Sequence, residues 1–129
     1  MRLIVDGMNV IGSTPDGWWR DREGARLRLV SALTALAGRP EVTSVAVVFD
    51  GSPGRRETDA YAAAGAVAVS FAGRGADAAD AAIAEEVAAD VSPEDLTVVT
   101  SDQALATRVR SSGAAVMGVS GFRRMLAER

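Results

Sequence analysis

The chain contains no histidine, no cysteine and no lysine. Without imidazole or thiol it cannot assemble a Ser-His-Asp or Cys-His nucleophilic system, or a zinc site on those ligands. Without lysine it cannot form a Schiff base or supply the lysine of a phosphate-binding P-loop. All 14 basic residues are therefore arginines. The absence of cysteine fits a reducing compartment. No apolar run is long enough to span a bilayer, and the opening Met1-Arg2-Leu3-Ile4-Val5-Asp6 meets an acid too early for a signal-peptide core. The expectation is a cytoplasmic protein with no membrane partner.

What remains for chemistry is carboxylates, hydroxyls and guanidinium groups. The 129 residues, 48% of them hydrophobic, match one domain with a respectable core, and residues 1–129 are read as that single domain. A net charge of −3 argues against coating nucleic acid by bulk electrostatics. It leaves room for local binding, since arginines cluster at Arg20, Arg22, Arg26 and Arg28, at Arg55 and Arg56, at Arg108 and Arg110, and at Arg123 and Arg124. For any one cluster, the ordinary reading is a solvated helix face.

Short, Val-rich apolar runs at about residues 2–5, 45–49, 66–71, 96–100 and 114–119 suit strands buried on both faces. Between them, residues 21–37 place Leu29, Val30, Leu33 and Leu36 on one helical stripe, with Gly38 as a stop. Residues 77–90 form an Ala-rich helix, 102–111 another, and 121–127 a last short one with Ser120 as N-cap. Residues 52–65 read either as a helix start or as a loop after Pro53-Gly54. Alternation of strand and helix implies crossover connections and a mainly parallel sheet of about five strands, in a three-layer α/β/α sandwich.

Four aspartates stand at the ends of these runs. Asp6 closes Leu3-Ile4-Val5, Asp50 closes the run through Phe49, and Asp102 follows Thr100-Ser101. In an open parallel sheet the carboxyl ends of the strands share one edge, where ligands bind. Asp80 joins them by helical spacing: successive residues turn by roughly 100°, so Asp80, Ile83 and Val87 share the stripe facing the sheet. Asp77, one turn earlier and farther round, is a weaker ligand candidate. Gathered carboxylates repel one another, and a divalent cation such as Mg²⁺ or Mn²⁺ resolves the conflict. Protonation or pairing with Arg is the alternative. Singly, Asp6-Gly7 and Asp50-Gly51 also read as turns, Asp102 as a helix cap and Asp80 as a helix-dipole partner.

The ordered set Val5-Asp6-Gly7-Met8-Asn9-Val10, Val48-Phe49-Asp50-Gly51, Ala79-Asp80 before Ile83, and Val99-Thr100-Ser101-Asp102 resembles the NYN domain, specifically its YacP-like branch of PIN-like nucleases. The resemblance runs over essentially the whole chain. It implies a PIN-like fold and a metal-dependent endoribonuclease, with messenger RNA on the ribosome as a substrate to test. Asp6, Asp80 and Asp102 match the family's acidic metal site, and Asn9 matches the Asn of its first motif. The role of Asp50 varies in that pattern. One departure stands out: relatives often carry paired acids at the helix start, whereas here Ala81 follows Asp80.

On this reading, Asp6, Asp80 and Asp102 would bind Mg²⁺, which activates water and neutralises phosphate charge, leaving a 5′-phosphate and a 3′-hydroxyl. No His is needed, and a His-dependent transesterifying ribonuclease is excluded by composition. Asn9 would orient a metal water, hold the Asp6 loop or cap its own backbone. Thr100 and Ser101 would bond the Asp102 carboxylate or a phosphate, with helix capping the simpler role for Ser101. Arg55 and Arg56, just past Asp50, are expected to grip substrate phosphates. Trp18 and Trp19 suit base stacking, against a simpler arrangement in which one anchors the next helix and the other is partly exposed.

The main competing reading, motivated by Ala81, is a PIN-like module that binds RNA or a protein without cleaving. Other Mg²⁺-dependent α/β proteins fit less well. A response-regulator receiver needs a Lys, and a haloacid-dehalogenase phosphatase needs an acid where Met8 stands. A Toprim enzyme normally places Glu after its first strand. A Rossmann dinucleotide site needs a glycine spacing that Gly7 to Gly12 lacks.

Overall fold

The computed structural model describes residues 1–75 and 77–128; Ala76 and Arg129, within the span expected for the single domain, lie outside the described residues. Five strands, β1 (Arg2–Asp6), β2 (Ser44–Phe49), β3 (Val67–Phe71), β4 (Leu96–Val99) and β5 (Ala115–Met117), form one sheet in the order β3-β2-β1-β4-β5. Every neighbouring pair is parallel. Six α-helices accompany them among the described residues: α1 (Gly7–Gly12), α2 (Arg22–Ala37), α3 (Arg55–Ala63), α4 (Ala78–Ala89), α5 (Gln103–Ser111) and α6 (Val119–Ala127). No helix of the described residues is long and apolar enough to cross a membrane.

Alternate residues of a strand point to opposite faces of the sheet, and the apolar runs satisfy both faces at once. Leu3, Val5, Val45, Val47 and Phe49 pack with α1, α2 and α6 residues, including Leu29, Leu33, Leu36 and Phe122. Ile4, Val48 and Val98 pack on the other side with Ile83 and Val87 of α4 and Leu105 and Val109 of α5. The three-layer α/β/α sandwich expected from the alternating pattern is therefore the observed one.

The chain starts at the central strand, adds β2 and β3 on one side, then crosses to add β4 and β5 on the other. The order reverses between β1 and β4, and at such a switch point the outgoing connections diverge and open a crevice at the carboxyl ends. Asp6 lies at that point.

Several boundaries differ from the sequence expectation. Gly7 begins helix α1 directly after Asp6 rather than forming a turn, and any Cβ at position 7 would collide with the Phe49 ring. Only glycine lets this helix start so close to β2. Residues 55–63 are helical, with the Glu57 side chain closing back on the Gly54 N–H. The last strand is shorter than residues 114–119, because Val119 already belongs to α6. Ser120 is inside that helix and Gly118 holds the N-cap position. Gly38 does end α2, but in a right-handed conformation (φ −80°), so the stop does not draw on glycine's left-handed freedom.

Candidate active site

The carboxyl edge of the sheet brings Asp6, Asp50 and Asp102 together as the strand ends predict, with Asp6 between the other two. Asp6 is 4% exposed. Its Oδ2 accepts a 2.9 Å hydrogen bond from the Thr100 hydroxyl, and Thr100 Oγ1 in turn accepts the Asp102 N–H at 3.1 Å. Thr100 thus bonds the Asp6 carboxylate rather than that of Asp102, and the hydroxyl ties the β1 and β4 ends into one unit.

Asn9 adds a second tie. Its Oδ1 accepts the Ser101 N–H at 2.7 Å, so it braces the turn after β4 from the first turn of α1 instead of capping its own backbone. Ser101 does cap a helix, though not the following one: its hydroxyl accepts the Val119 N–H at 2.9 Å, at the start of α6. The cap of α5 is Asp102, whose Oδ1 accepts the Leu105 N–H at 3.0 Å.

Asp80 sits in the first turn of α4, half-buried, above the buried Ile83 and Val87. Asp77 is the N-cap of that helix in a left-handed conformation (φ 64°), and its side chain makes no capping bond. Asp50 caps α4 in its place, accepting the Ala79 N–H at 3.0 Å from across the crevice. The β2 end is thereby joined to the residue preceding Asp80.

Electrostatics confirm that these acids share one field. The Asp6 carboxyl is pushed up to about 6, first by burial, which the Thr100 hydrogen bond partly offsets, and then by the charges of Asp80, Asp50 and Asp102. The Asp80 carboxyl is raised by burial and then by Asp102, Asp77 and Asp50, with Arg108 opposing. Among the described residues no ion pair involves any of these five aspartates. Pairing with Arg, the alternative resolution of the repulsion, is not the one adopted.

Oxygen donors with concentrated, unpaired negative charge fit a hard divalent cation in chemical kind. Their present rotamers do not form a cage: among the described residues, no three acidic side chains stand close enough to hold one metal ion. The expected ligand set is Asp6, Asp80, Asp102, Asp77 and Asp50, and in this arrangement their carboxylates stand apart. The physical reason is visible in the bonds above. Like charges separate, and three of the carboxylates turn one oxygen each to Thr100, Ala79 N–H and Leu105 N–H.

Arg55 and Arg56, expected to grip phosphate, differ in their surroundings. Arg56 lies between Asp21 and Glu23, at 3.0 and 3.2 Å, and pairs with both on the surface. Arg55 is exposed at the start of α3. Two further guanidinium groups, Arg22 and Arg26 of α2, line a cavity with Asp50 and Gly51. Their spacing of four residues puts them on one helix face, a signal present in the sequence. Of the tryptophans, Trp18 is partly buried, packing against the core and bordering the same cavity, and Trp19 is 54% exposed.

A family model described as the YacP-like NYN domain matches residues 3–129. No curated protein matches the chain. Among solved structures, a crystal structure of a mutant of Rae1 (YacP) from Bacillus subtilis superposes with a TM-score of 0.74 at 24% identity, covering 98% of this chain and 74% of that one.

Proposed function

The chain belongs to the YacP-like NYN family, a nuclease-type family, and on that premise we propose that it is an endoribonuclease that hydrolyses RNA phosphodiester bonds with a divalent cation, Mg²⁺ or Mn²⁺. The observation that carries the reading is Asp6 at the switch point, unpaired and buried, its carboxyl raised first by that burial and then by three neighbouring carboxylates. Natural chains seldom bury unpaired charge without a use for it.

Asp6, Asp80 and Asp102 would hold the ion, with Asp50 and Asp77 at its margin. When bound, such an ion neutralises charge on the phosphate and makes water a better nucleophile. Thr100 fixes the direction of the Asp6 carboxylate, and Asn9 fixes the turn that carries Asp102. Water adds to phosphorus as the 3′-oxygen departs and takes a proton, which leaves 5′-phosphate and 3′-hydroxyl ends. With no imidazole in the chain, a His pair acting through the 2′-hydroxyl is not available.

We read residues 1–129 as a single NYN/PIN-like domain acting in the cytoplasm on single-stranded RNA, with ribosome-bound messenger RNA as the substrate class to test first. A second reading, an RNA- or protein-binding module without cleavage, draws on Ala81 beside Asp80 and on carboxylates that do not close into a cage.

The deciding experiment is cleavage of an end-labelled single-stranded RNA with Mg²⁺ or Mn²⁺ against EDTA, with Asp6→Asn and Asp80→Asn in parallel. The nuclease reading expects metal-dependent cutting that both substitutions abolish. An inactive wild type, with ribosomes present as well, would move the assignment to the binding module.

A further inference from the structure

Beside the acidic crevice lies a cavity of about 370 Å³, bordered by Met8, Trp18, Arg22, Arg26, Asp50 and Gly51. Its walls differ in chemistry from the carboxylate cluster next door. Trp18 and Met8 supply an apolar, polarisable surface, and the Arg22 guanidinium lies 5.1 Å from the Trp18 ring centroid. Arg26 is committed to an ion pair: its Nε, at 2.8 Å, and its Nη2 donate to Glu57, which is fully buried. Arg22 is exposed and, among the described residues, stands in no ion pair.

The cavity is fixed to the crevice by backbone and side chain alike. Asp50 lines it while bonding the Ala79 N–H next to Asp80. Gly51, at φ +83°, pairs with Gly73 through bonds of 2.8 and 3.1 Å, which holds the rim in place. Only a residue without Cβ takes that conformation readily. The volume falls at the low end of the roughly 300–1,000 Å³ typical of small-ligand pockets, so it suits one unpaired base rather than a base pair.

We infer that this cavity is a nucleobase subsite for the RNA strand entering the acidic crevice, in which Trp18 stacks the base and Arg22 holds the adjoining phosphate. Aromatic faces accept any base, and Arg supplies the sequence-independent charge, as in other single-strand sites. The inference rests on the proposed RNA substrate and gives the chain its first positive contact with the backbone of that substrate. It also accounts for how a protein of net charge −3 would bind a polyanion: locally, through a cation not already paired.

The test uses Trp18 as its own reporter. The chain has two tryptophans, so in a Trp19→Phe background all indole emission comes from Trp18. In EDTA, a short single-stranded oligoadenylate should quench that emission, and an abasic phosphodiester strand of the same length should not. Trp18→Leu should weaken binding by about ten- to a hundredfold, measured by anisotropy of the labelled strand. Arg22→Gln should weaken it about tenfold and lower the slope of log affinity against log salt by about 0.7, as loss of one phosphate contact requires. Thermal melting of each variant separates misfolding from lost contact. RNA that is bound or cut with no Trp18 quenching, or with unchanged affinity in a folded Arg22→Gln protein, overturns the subsite and leaves the nuclease reading intact. Quenching without metal-dependent cleavage supports the subsite and overturns the nuclease reading. Neither binding nor cleavage overturns both.

Discussion

Replacing Asp6 by Asn should stabilise the metal-free protein at neutral pH. The Asp6 carboxyl rises from 3.8 to about 6 on folding. At about 1.4 kcal/mol per tenfold change in proton affinity, that rise corresponds to about 3 kcal/mol. Because the folded value lies above the unfolded one, the folded state binds the proton more tightly. The stability this contributes is fully present below pH 3.8 and is lost as pH climbs through 6. In EDTA, therefore, the wild-type melting temperature should fall as this contribution is lost between about pH 4 and 7, by on the order of 10 °C for a domain of this size. Asn keeps an acceptor for the Thr100 hydroxyl and carries no charge, so the Asp6→Asn protein should lack most of that fall and exceed wild type at pH 8. Mn²⁺ at pH 8 should raise the wild-type melting temperature and leave Asp6→Asn nearly unchanged, since ligand stabilisation requires a site in the folded state. Thermal scans across pH, with and without metal, measure all of this. Parallel pH curves for the two proteins would refute the reasoning, because they would mean that Asp6 is not the buried acid that titrates.

Two further outcomes probe the supports of the site. Burial alone would raise the Glu57 carboxyl, but hydrogen bonds from Arg26, Tyr61 and the Gly54 N–H outweigh it and hold the group below its usual value; Arg26→Ala should therefore strand a buried charge and cost about 3–5 kcal/mol by urea unfolding, with much of the loss recovered when Glu57→Leu is added. Ser101→Ala removes the acceptor for the first N–H of α6, which should cost about 1 kcal/mol and speed hydrogen exchange at Val119, while Ser101→Thr preserves both.

The pattern of apolar runs was enough to define the alternation of strand and helix and hence the parallel sheet. Strands buried on both faces are nearly continuous in Val, Leu and Ile, and little else in a chain reads that way. It was also enough to bring Asp6, Asp50 and Asp102 to one edge, because every parallel strand ends there, and to turn Asp80 inward by its spacing from Ile83 and Val87. Absence was equally informative: without His, Cys or Lys, only oxygen and guanidinium chemistry remained.

Partner choice was decided by the tertiary structure alone. Nothing local to Arg56 announces that Asp21 and Glu23 will claim it, or that Glu57 will occupy Arg26 and leave Arg22 unpaired, because these contacts join residues 31 to 35 positions apart. The same holds for Asp50, whose oxygen caps a helix 29 residues later, and for Asn9 and Ser101, which meet across 92 residues. Periodicity constrains the face a side chain takes, since that follows from the geometry of one element. Which donor meets which acceptor depends on how separate elements pack, and packing is the sum of many long-range contacts that no single stretch of sequence contains.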